Sequence, residues 1–445
     1  MPQHDYQLAN QPGAAFRSDL NAALLAIATQ NSGTAAPDPT YAFMPWIDTS
    51  GLTATPATAA LLKLRNAANS GWITIGPVDS AFFGAQPFNA NIPIVAASLA
   101  EMTAGTEAAL RSMSPLRVAQ AIAALAVTYG VFRKANPDIV AWTRTANFAV
   151  STATLIYVEV AGKLITIAAG TAVTMPGTAT NGTDYAIWAK PDGTLEATSN
   201  HTTPPVANSR KVGGFHYAPG ANATANSGGN STPQINAFSF WDLKFRPACP
   251  DPRGMTLVAN GFWADIYLLG VDHLVNGTSR FNVTIADGSS PPRIPTKFGG
   301  TGSNSYSSLN WWEAAEVMRH HGKRLPTYSE FAALAFGTTE ATQRGTDPVS
   351  TIWDTAFTSR WGTNQSSGCM WIWGDEFGGS AASAAWSANT GGRGSTYQME
   401  NAVVFGGGWG FGASCGSRSS SWSNSPANSF NDFGARGVCD HLQLD

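Results

Sequence analysis

Catalysis needs reactive side chains at workable spacing, and this chain offers few. His320 and His321 stand together just ahead of Gly322. A helix end there would favour imidazole through the helix dipole, a reading that outweighs metal ligation. Asp440 and His441 would act as a dyad only with a nucleophile brought up in space, and adjacent residues seldom serve as such partners. Asp375 and Glu376 are two neighbouring carboxylates, a poor cation signature that reads better as loop hydrogen bonding. The four cysteines, Cys249, Cys369, Cys415 and Cys439, are too scattered for a disulfide framework and form no CxxC pair, so they read as buried thiols. There is no P-loop and no HExxH, and the glycine run from Gly406 to Gly412 lacks the third glycine of a dinucleotide fingerprint. No catalytic residue, metal or cofactor is expected.

The informative segment does recognition chemistry instead. From Phe405 to Leu442, bulky residues alternate with small ones. Trp409, Arg418, Trp422, Pro426 and Arg436 read as a scaffold, because a guanidinium with planar donors ties long loops to backbone carbonyls that no helix or sheet ladder satisfies. Gly, Ser and Asn fill the intervals. Read without further context, they are simply turn residues.

Such a segment needs a frame. At 445 residues the chain has room for several domains. Charged residues make up 12% of it, with a net charge of −3, against about 25% charged in an ordinary soluble protein. Nothing therefore attracts a phosphate backbone or an anionic membrane over long range. No secretory signal is evident at the N-terminus. The longest apolar stretch, Val118 to Phe132, falls short of the ~20 residues that span a bilayer. Phe16, Leu20, Ala23, Leu24 and Ile27 form an apolar stripe that marks a helix over about 14–29, which stops at Asn31, Ser32 and Gly33. Leu61 to Asn66, then Asn69, Ser70 and Gly71, then Trp72, Ile73 and Thr74 read as a hairpin. Ser114 and Pro115 open a second helix running to Leu125.

From about Asn136 to Gln234 the pattern turns to β, and Ala218 to Gln234, poor in large apolar residues, reads as a loop or boundary, with a linker ending near Ile235. The last 205 residues hold 11 of the 15 tryptophans, which predicts an aromatic-rich core. Two helices are expected in it. The first, over about 308–321, buries Trp311, Ala314, Ala315 and Met318. The second is capped by Thr327 and Glu330, with Phe331, Leu334 and Ala335 inward. After Gly345, short strands and long loops are expected.

Two resemblances follow from these residues. AFRSDLNAALLAI, LLKLRNAANSGWITIG and AGTEAALRSMSPLRVAQAI, within residues 8–125, resemble phage tail-fibre proteins and imply a trimeric tail-attachment module. From Asn136 to Asp445 the chain resembles the major tropism determinants of Bordetella phages, receptor-binding proteins diversified by a retroelement. The matching segments include KVGGFHYAPG, DPRGMTLVA, FWADIYLLGV, NVTIADGS, HHGKRLP, EFGG, NTGGRGS and FGARGVCDHL. The first ~130 residues are the departure from that family.

The implied fold is α+β to mainly β. It comprises a tail-attachment and trimerisation module (1–130), an intermediate β-domain (136–234) and a C-type-lectin-like, formylglycine-generating-enzyme-like receptor-binding domain (235–445) with a variable region of about 405–442. The implied receptor contacts are Gly408, Gly410, Gly412, Ser414, Ser421, Ser423, Asn424, Asn428, Phe430, Asp432 and Phe433, held outward. All of these residue types are reachable by adenine-directed mutagenesis of AAC or AAT codons. The implied partners are a host bacterial surface receptor, read as protein because residues 235–445 hold neither EPN nor QPD, other tail proteins, and two further copies in a homotrimer. No nucleic acid partner and no membrane insertion are implied. The implied place is the virion, at a tail fibre or tail tip, after synthesis in the host cytoplasm.

GKRLPTYSEF and GGGW also resemble the formylglycine-generating oxidases. Their copper chemistry needs two thiols with four residues between them, and Cys415 has Gly410 at the partner position. A purely structural tail subunit is the third reading.

Overall fold

The computed structural model describes residues 4, 6–8, 10–54, 59–78, 98, 118, 130–379, 386–388, 393, 395–397 and 400–444. Of the expected second helix, all but Val118 lies outside the described residues, as does most of the apolar stretch beginning there. The chain divides into two compact units, Met1–Ser114 and Pro115–Asp445, and the described structure is mainly β with few helices.

In the first unit a helix spans Gly13–Ala28. Thr29 closes it by donating its N–H and hydroxyl to the Leu25 carbonyl. Gln30 and Asn31 then take left-handed φ of 51° and 52°, the turn that the Asn, Ser and Gly run anticipated. The helix is the one read from the apolar stripe. Ala23 and Ala26 are buried, while Phe16, Leu24, Leu25 and Ile27 are exposed. That sheet is antiparallel, in the order Pro45–Asp48, Leu61–Arg65, Trp72–Pro77. The hairpin is the one read from sequence. Trp46 and Trp72 meet edge to face at 5.1 Å, and Lys63 reaches both the Trp46 ring (4.9 Å) and Asp48 (2.7 Å).

In the second unit, one core gathers Trp142, Ile156, Val158, Tyr185, Ile187, Leu195, Val212 and Phe215 between small sheets. Its largest sheet centres on Arg210–Ala218 paired with Thr183–Ala189. Gly213 and Gly214 are obligatory there, since a Cβ would lie 2.2 Å from Trp142 Nε1 or 2.6 Å from the Tyr185 carbonyl. The sheet continues past the expected end at Gln234, through Gln234–Ile235 and Trp241–Asp242.

The expected linker proves to be a clamped tongue. Gly228 and Gly229 donate to the carbonyls of Gly337 and Thr355, Ala223 to that of Ser359, and Trp353 Nε1 to that of Asn230. Small residues are required there for close backbone approach, which composition alone reads as flexibility. Asp184 completes the attachment, accepting from the Gly254 N–H and bonding His216 at 2.9 Å, while His216 reaches Tyr267 at 3.0 Å.

The C-terminal region holds two four-stranded sheets. One runs Phe245–Pro247, Val438–Gln443, Phe262–Asp265, Met255–Val258, and the other Ser420–Asn424, Asn401–Phe405, Trp371–Gly378, Phe433–Gly434. The helix Trp311–His320 starts three residues later than expected, because Asn310 and Glu313 form the capping box. Its inner face carries Glu313, Ala314, Val317 and Met318, with Trp311 and Ala315 only half-buried. The helix Tyr328–Leu334 has the anticipated Thr327 and Glu330 capping box. Asp375 and Glu376 lie in a bulged strand rather than a loop. Glu376 accepts the Tyr328 N–H at 2.7 Å, so the strand's carboxylate supports the start of that helix.

Candidate functional site

Strand Asn401–Phe405 delivers the chain into a long excursion that ends at strand Phe433–Gly434. Gly406 and Gly407 make the exit, with φ of 90° and 87°. A Cβ on Gly407 would stand 2.5 Å from Cys415 Sγ, so the returning loop packs directly on the backbone. Gly406 donates to Ser419 and accepts from Gly416, Cys415 Sγ bonds the Gly408 carbonyl at 3.4 Å, and Ser419 Oγ bonds the Ser414 carbonyl at 2.6 Å.

Other loops fix the excursion from outside. Glu340 accepts from the Ser417 hydroxyl at 2.6 Å and its N–H at 2.9 Å, and Gln343 accepts the Gly412 N–H. Further along, the Pro426 and Phe430 carbonyls accept the Trp311 and Gly288 N–H groups, both at 3.0 Å, Ser429 Oγ accepts the Leu309 N–H at 2.9 Å, and the Asp432 carbonyl takes the Trp371 N–H at 2.8 Å. Backbone groups of the excursion are thus satisfied partly by its own turns and partly by residues outside it, which tie it to the frame at several points. Glu340 and Gln343 gave no sequence signal, being single polar residues far from the segment.

The five scaffold residues divide. Arg436 is fully buried; its Nη1 donates to the Asp265 and Ile266 carbonyls at 2.6 and 2.7 Å and its Nη2 to that of Asn364. Burial pushes its guanidinium down to about 10, still protonated at neutral pH. Pro426 is buried, and Trp409 and Trp422 are half-buried against the core that holds Phe331, Ile372 and Phe405. The Trp422 ring lies over Gly378, where a Cβ would meet it at 2.7 Å. Arg418 departs from the expectation: its side chain is exposed, and the described contact is its carbonyl accepting the Tyr328 hydroxyl at 3.0 Å. A surface loop tip gives a guanidinium water to bond, so burial there has no driving force.

Of the expected outward positions, Gly410, Ser414, Ser423 and Phe430 are exposed, and Gly412, Ser421, Asn424, Asn428 and Asp432 are half-buried. Gly408 and Phe433 are buried, which corrects the expectation that both face outward. Phe433 is a strand residue whose ring packs against Trp373 and supports Phe430, each at 5.0 Å and near perpendicular. The structure gathers Ser421, Ser423, Asn424, Phe430, Asp432 and Phe433 around one groove of about 320 Å³, together with Trp371 and Phe411. Gly408 borders it, since its missing Cβ would lie 2.9 Å from Asp432 Oδ2, 3.2 Å from Trp371 and 3.3 Å from Phe411. Gly410, Gly412, Ser414 and Asn428 lie outside the groove lining.

Phe411 was missed by the sequence reading, although an aromatic between Gly410 and Gly412 is a signal. It is 47% exposed and stacks edge to face on Trp371 at 5.1 Å. Burial raises the Asp432 carboxyl, and the nearby Asp287 and Asp347 carboxylates add to the shift.

The residues first weighed for catalysis have structural employment. His441 Nδ1 accepts from Trp263 Nε1 at 2.9 Å, and Asp440 pairs with Arg324 at 3.2 Å. His273 bonds His321 at 2.9 Å, and burial together with neighbouring His273, Lys323 and His320 lowers His321 to about 3. Cys415 is buried, which raises its thiol. Among the described residues, no group of three His, Cys, Asp or Glu side chains is placed to hold a metal ion, and no helix is long and apolar enough to cross a membrane.

Comparison with known proteins agrees with this architecture. A family model described as "Mtd second domain" matches residues 140–242, the stretch that contains the large middle sheet and its extension to Asp242. The tail fiber receptor-binding protein of Bordetella phage BPP-1 is 57% identical over 327 residues, 71% of this chain and 85% of that protein. The solved M1 variant of the major tropism determinant superposes with a TM-score of 0.70 at 46% identity, covering 91% of this chain and 96% of that one. The U1 variant gives 0.70 at 45%, covering 92% and 98%. The structural likeness thus reaches beyond the C-terminal two thirds, into the part that sequence resemblance had set apart. With that identity over that much of its length, the chain belongs to the major tropism determinant family of phage receptor-binding proteins.

Proposed function

We propose that this chain is a bacteriophage tail-fibre or tail-tip adhesin, a virion component that attaches the particle to a protein on the host surface through the face around residues 408–432. The observation that carries the reading is the division of labour in the C-terminal excursion. Its backbone is tied to fixed elements at several points, while small polar side chains and the 49%-exposed Phe430 line an open groove. Ser, Asn and Gly adapt their hydrogen bonding cheaply, and one or two aromatics carry most of an interface. The Bordetella phage relative is named a tail fiber receptor-binding protein, in keeping with a role in recognition.

The C-terminal region reads as a C-type-lectin-like domain, residues 136–234 as the intermediate β-domain, and the first 130 residues as the tail-attachment module. The chain works as a homotrimer. The exposed Leu24, Leu25 and Ile27 on one helix supply an apolar stripe that two further copies would cover, and three linked faces multiply a modest affinity by ~10² to 10⁴ on a repeated target.

The test uses fluorescently labelled full chain on Bordetella cells and a panel of other bacteria. Replacing Ser423, Asn428 and Phe430 together by alanine should abolish labelling of the strain that the native chain stains and leave the melting temperature within about 2 °C, as expected for surface substitutions. Staining that survives the triple replacement refutes the assignment of this face.

A further inference from the structure

Two perpendicular aromatic pairs, Phe411 on Trp371 and Phe430 on Phe433, contribute to the walls of the groove. At about 320 Å³ it sits at the small end of ligand-sized cavities, roughly 300–1,000 Å³, with room for a single long side chain. Asp432 contributes the one ionisable group of its lining. That carboxylate is half-buried, and among the described residues no lysine, arginine or histidine pairs with it. Its charged neighbours are Asp287 and Asp347, and Arg344, in the same loop as Asp347, is engaged by Asp354 at 2.8 Å.

We propose that the groove accepts a lysine or arginine side chain of the receptor, with the alkyl stem against Phe411 and Phe430 and the cationic head on the Asp432 carboxylate. This rests on the adhesin reading and specifies the chemistry of its partner. An apolar occupant would strip water from the carboxylate and return no hydrogen bond, leaving a buried acceptor unsatisfied. A cation repays that loss and gains from the aromatic faces.

Gly408 keeps the groove open. Its φ is not in the left-handed region, so a side chain there is free of backbone strain and would project toward Asp432, Trp371 and Phe411. Gly408→Asn is therefore a plug.

The experiment selects a random linear peptide library on the full-length protein. Recovered peptides should be enriched several-fold in Lys and Arg over the starting library. They should bind Asp432→Asn, an isosteric change, at least about tenfold more weakly, the order expected for losing a charged hydrogen bond. Gly408→Asn should lose the same peptides. Melting curves of each variant establish that it is folded. Recovery of no binders, or of binders rich in apolar or acidic residues without a basic excess, overturns the proposal, as does equal affinity for native and Asp432→Asn protein. Peptides lost on Phe430→Ala but kept on Asp432→Asn would show that the groove binds and the cation assignment is wrong. Peptides kept on both would sink the proposal and the groove's role together.

Discussion

Replacing Arg436 by methionine tests whether the excursion from Phe405 to Phe433 stands on a frame of its own. The side chain has no exposed surface, and two of its nitrogens serve the three carbonyls of Asp265, Ile266 and Asn364, which come from one strand end and one distant loop. Methionine fills much of the same volume and bonds none of them. The Ile266 carbonyl keeps the Asn364 N–H at 2.7 Å, so the loss falls mainly on the other two, at about 1–3 kcal/mol for each buried acceptor left without its donor. Against this stands the relief of no longer burying a cation whose Nε has no partner among the described residues. We expect a net loss of about 3 kcal/mol, read as a lower urea midpoint with an unchanged slope, followed by tryptophan fluorescence. Peptide or cell binding of the folded fraction should be intact. A shift under about 1 kcal/mol, or selective loss of binding at full stability, would refute the view that this guanidinium holds loops rather than ligand.

Further expectations follow from the same geometry. Phe433→Ala should cost about 3 kcal/mol as a core truncation and Phe430→Ala under about 0.5 kcal/mol as a surface change, so thermal melts of the two neighbours should differ widely. Trp422→Ala, half-buried over Gly378 and Gly379, should lower stability by about 2 kcal/mol in denaturant titration, less than a fully enclosed indole. Acid should destabilise the fold through His321. Its pKa is about 3 when folded against the ordinary 6.5, so the unfolded chain takes up protons that the folded one refuses. That contribution is intact above about pH 6.5 and drains away as pH falls toward 3. Melting temperature should drop from pH 7.5 to 5, and His321→Gln should flatten the slope; an unaltered slope would show that the imidazole does not govern it.

Much of this was legible in the residues. The hairpin, the Thr327 capping box and the β-rich middle follow from local periodicity and turn chemistry, which sequence carries directly. What stayed hidden depends on distant partners. Gly228 and Gly229 look like a linker until the loops around Gly337 and Thr355 are seen to need close neighbours. Arg418 and Arg436 look alike in the same segment, and only the second meets a cluster of carbonyls. Phe430 and Phe433 are three positions apart, and a strand pairing with Trp371 and Ile372 takes the second inside. The proposed recognition face was read from resemblance. Its groove, and the presence of Phe411 in it, came from the fold.

Strand Val438–Gln443 lies between Phe245–Pro247 and Phe262–Asp265, joining two segments that have no other described pairing with each other. That sheet closes only after the ribosome has decoded the whole excursion. A stop codon or frame slip arising anywhere between residues 405 and 437 removes this strand, and the domain should then be open to proteases. A chain ended at residue 437 should be digested by trypsin far faster than the full-length protein, and comparable resistance would show that the domain closes without its last strand.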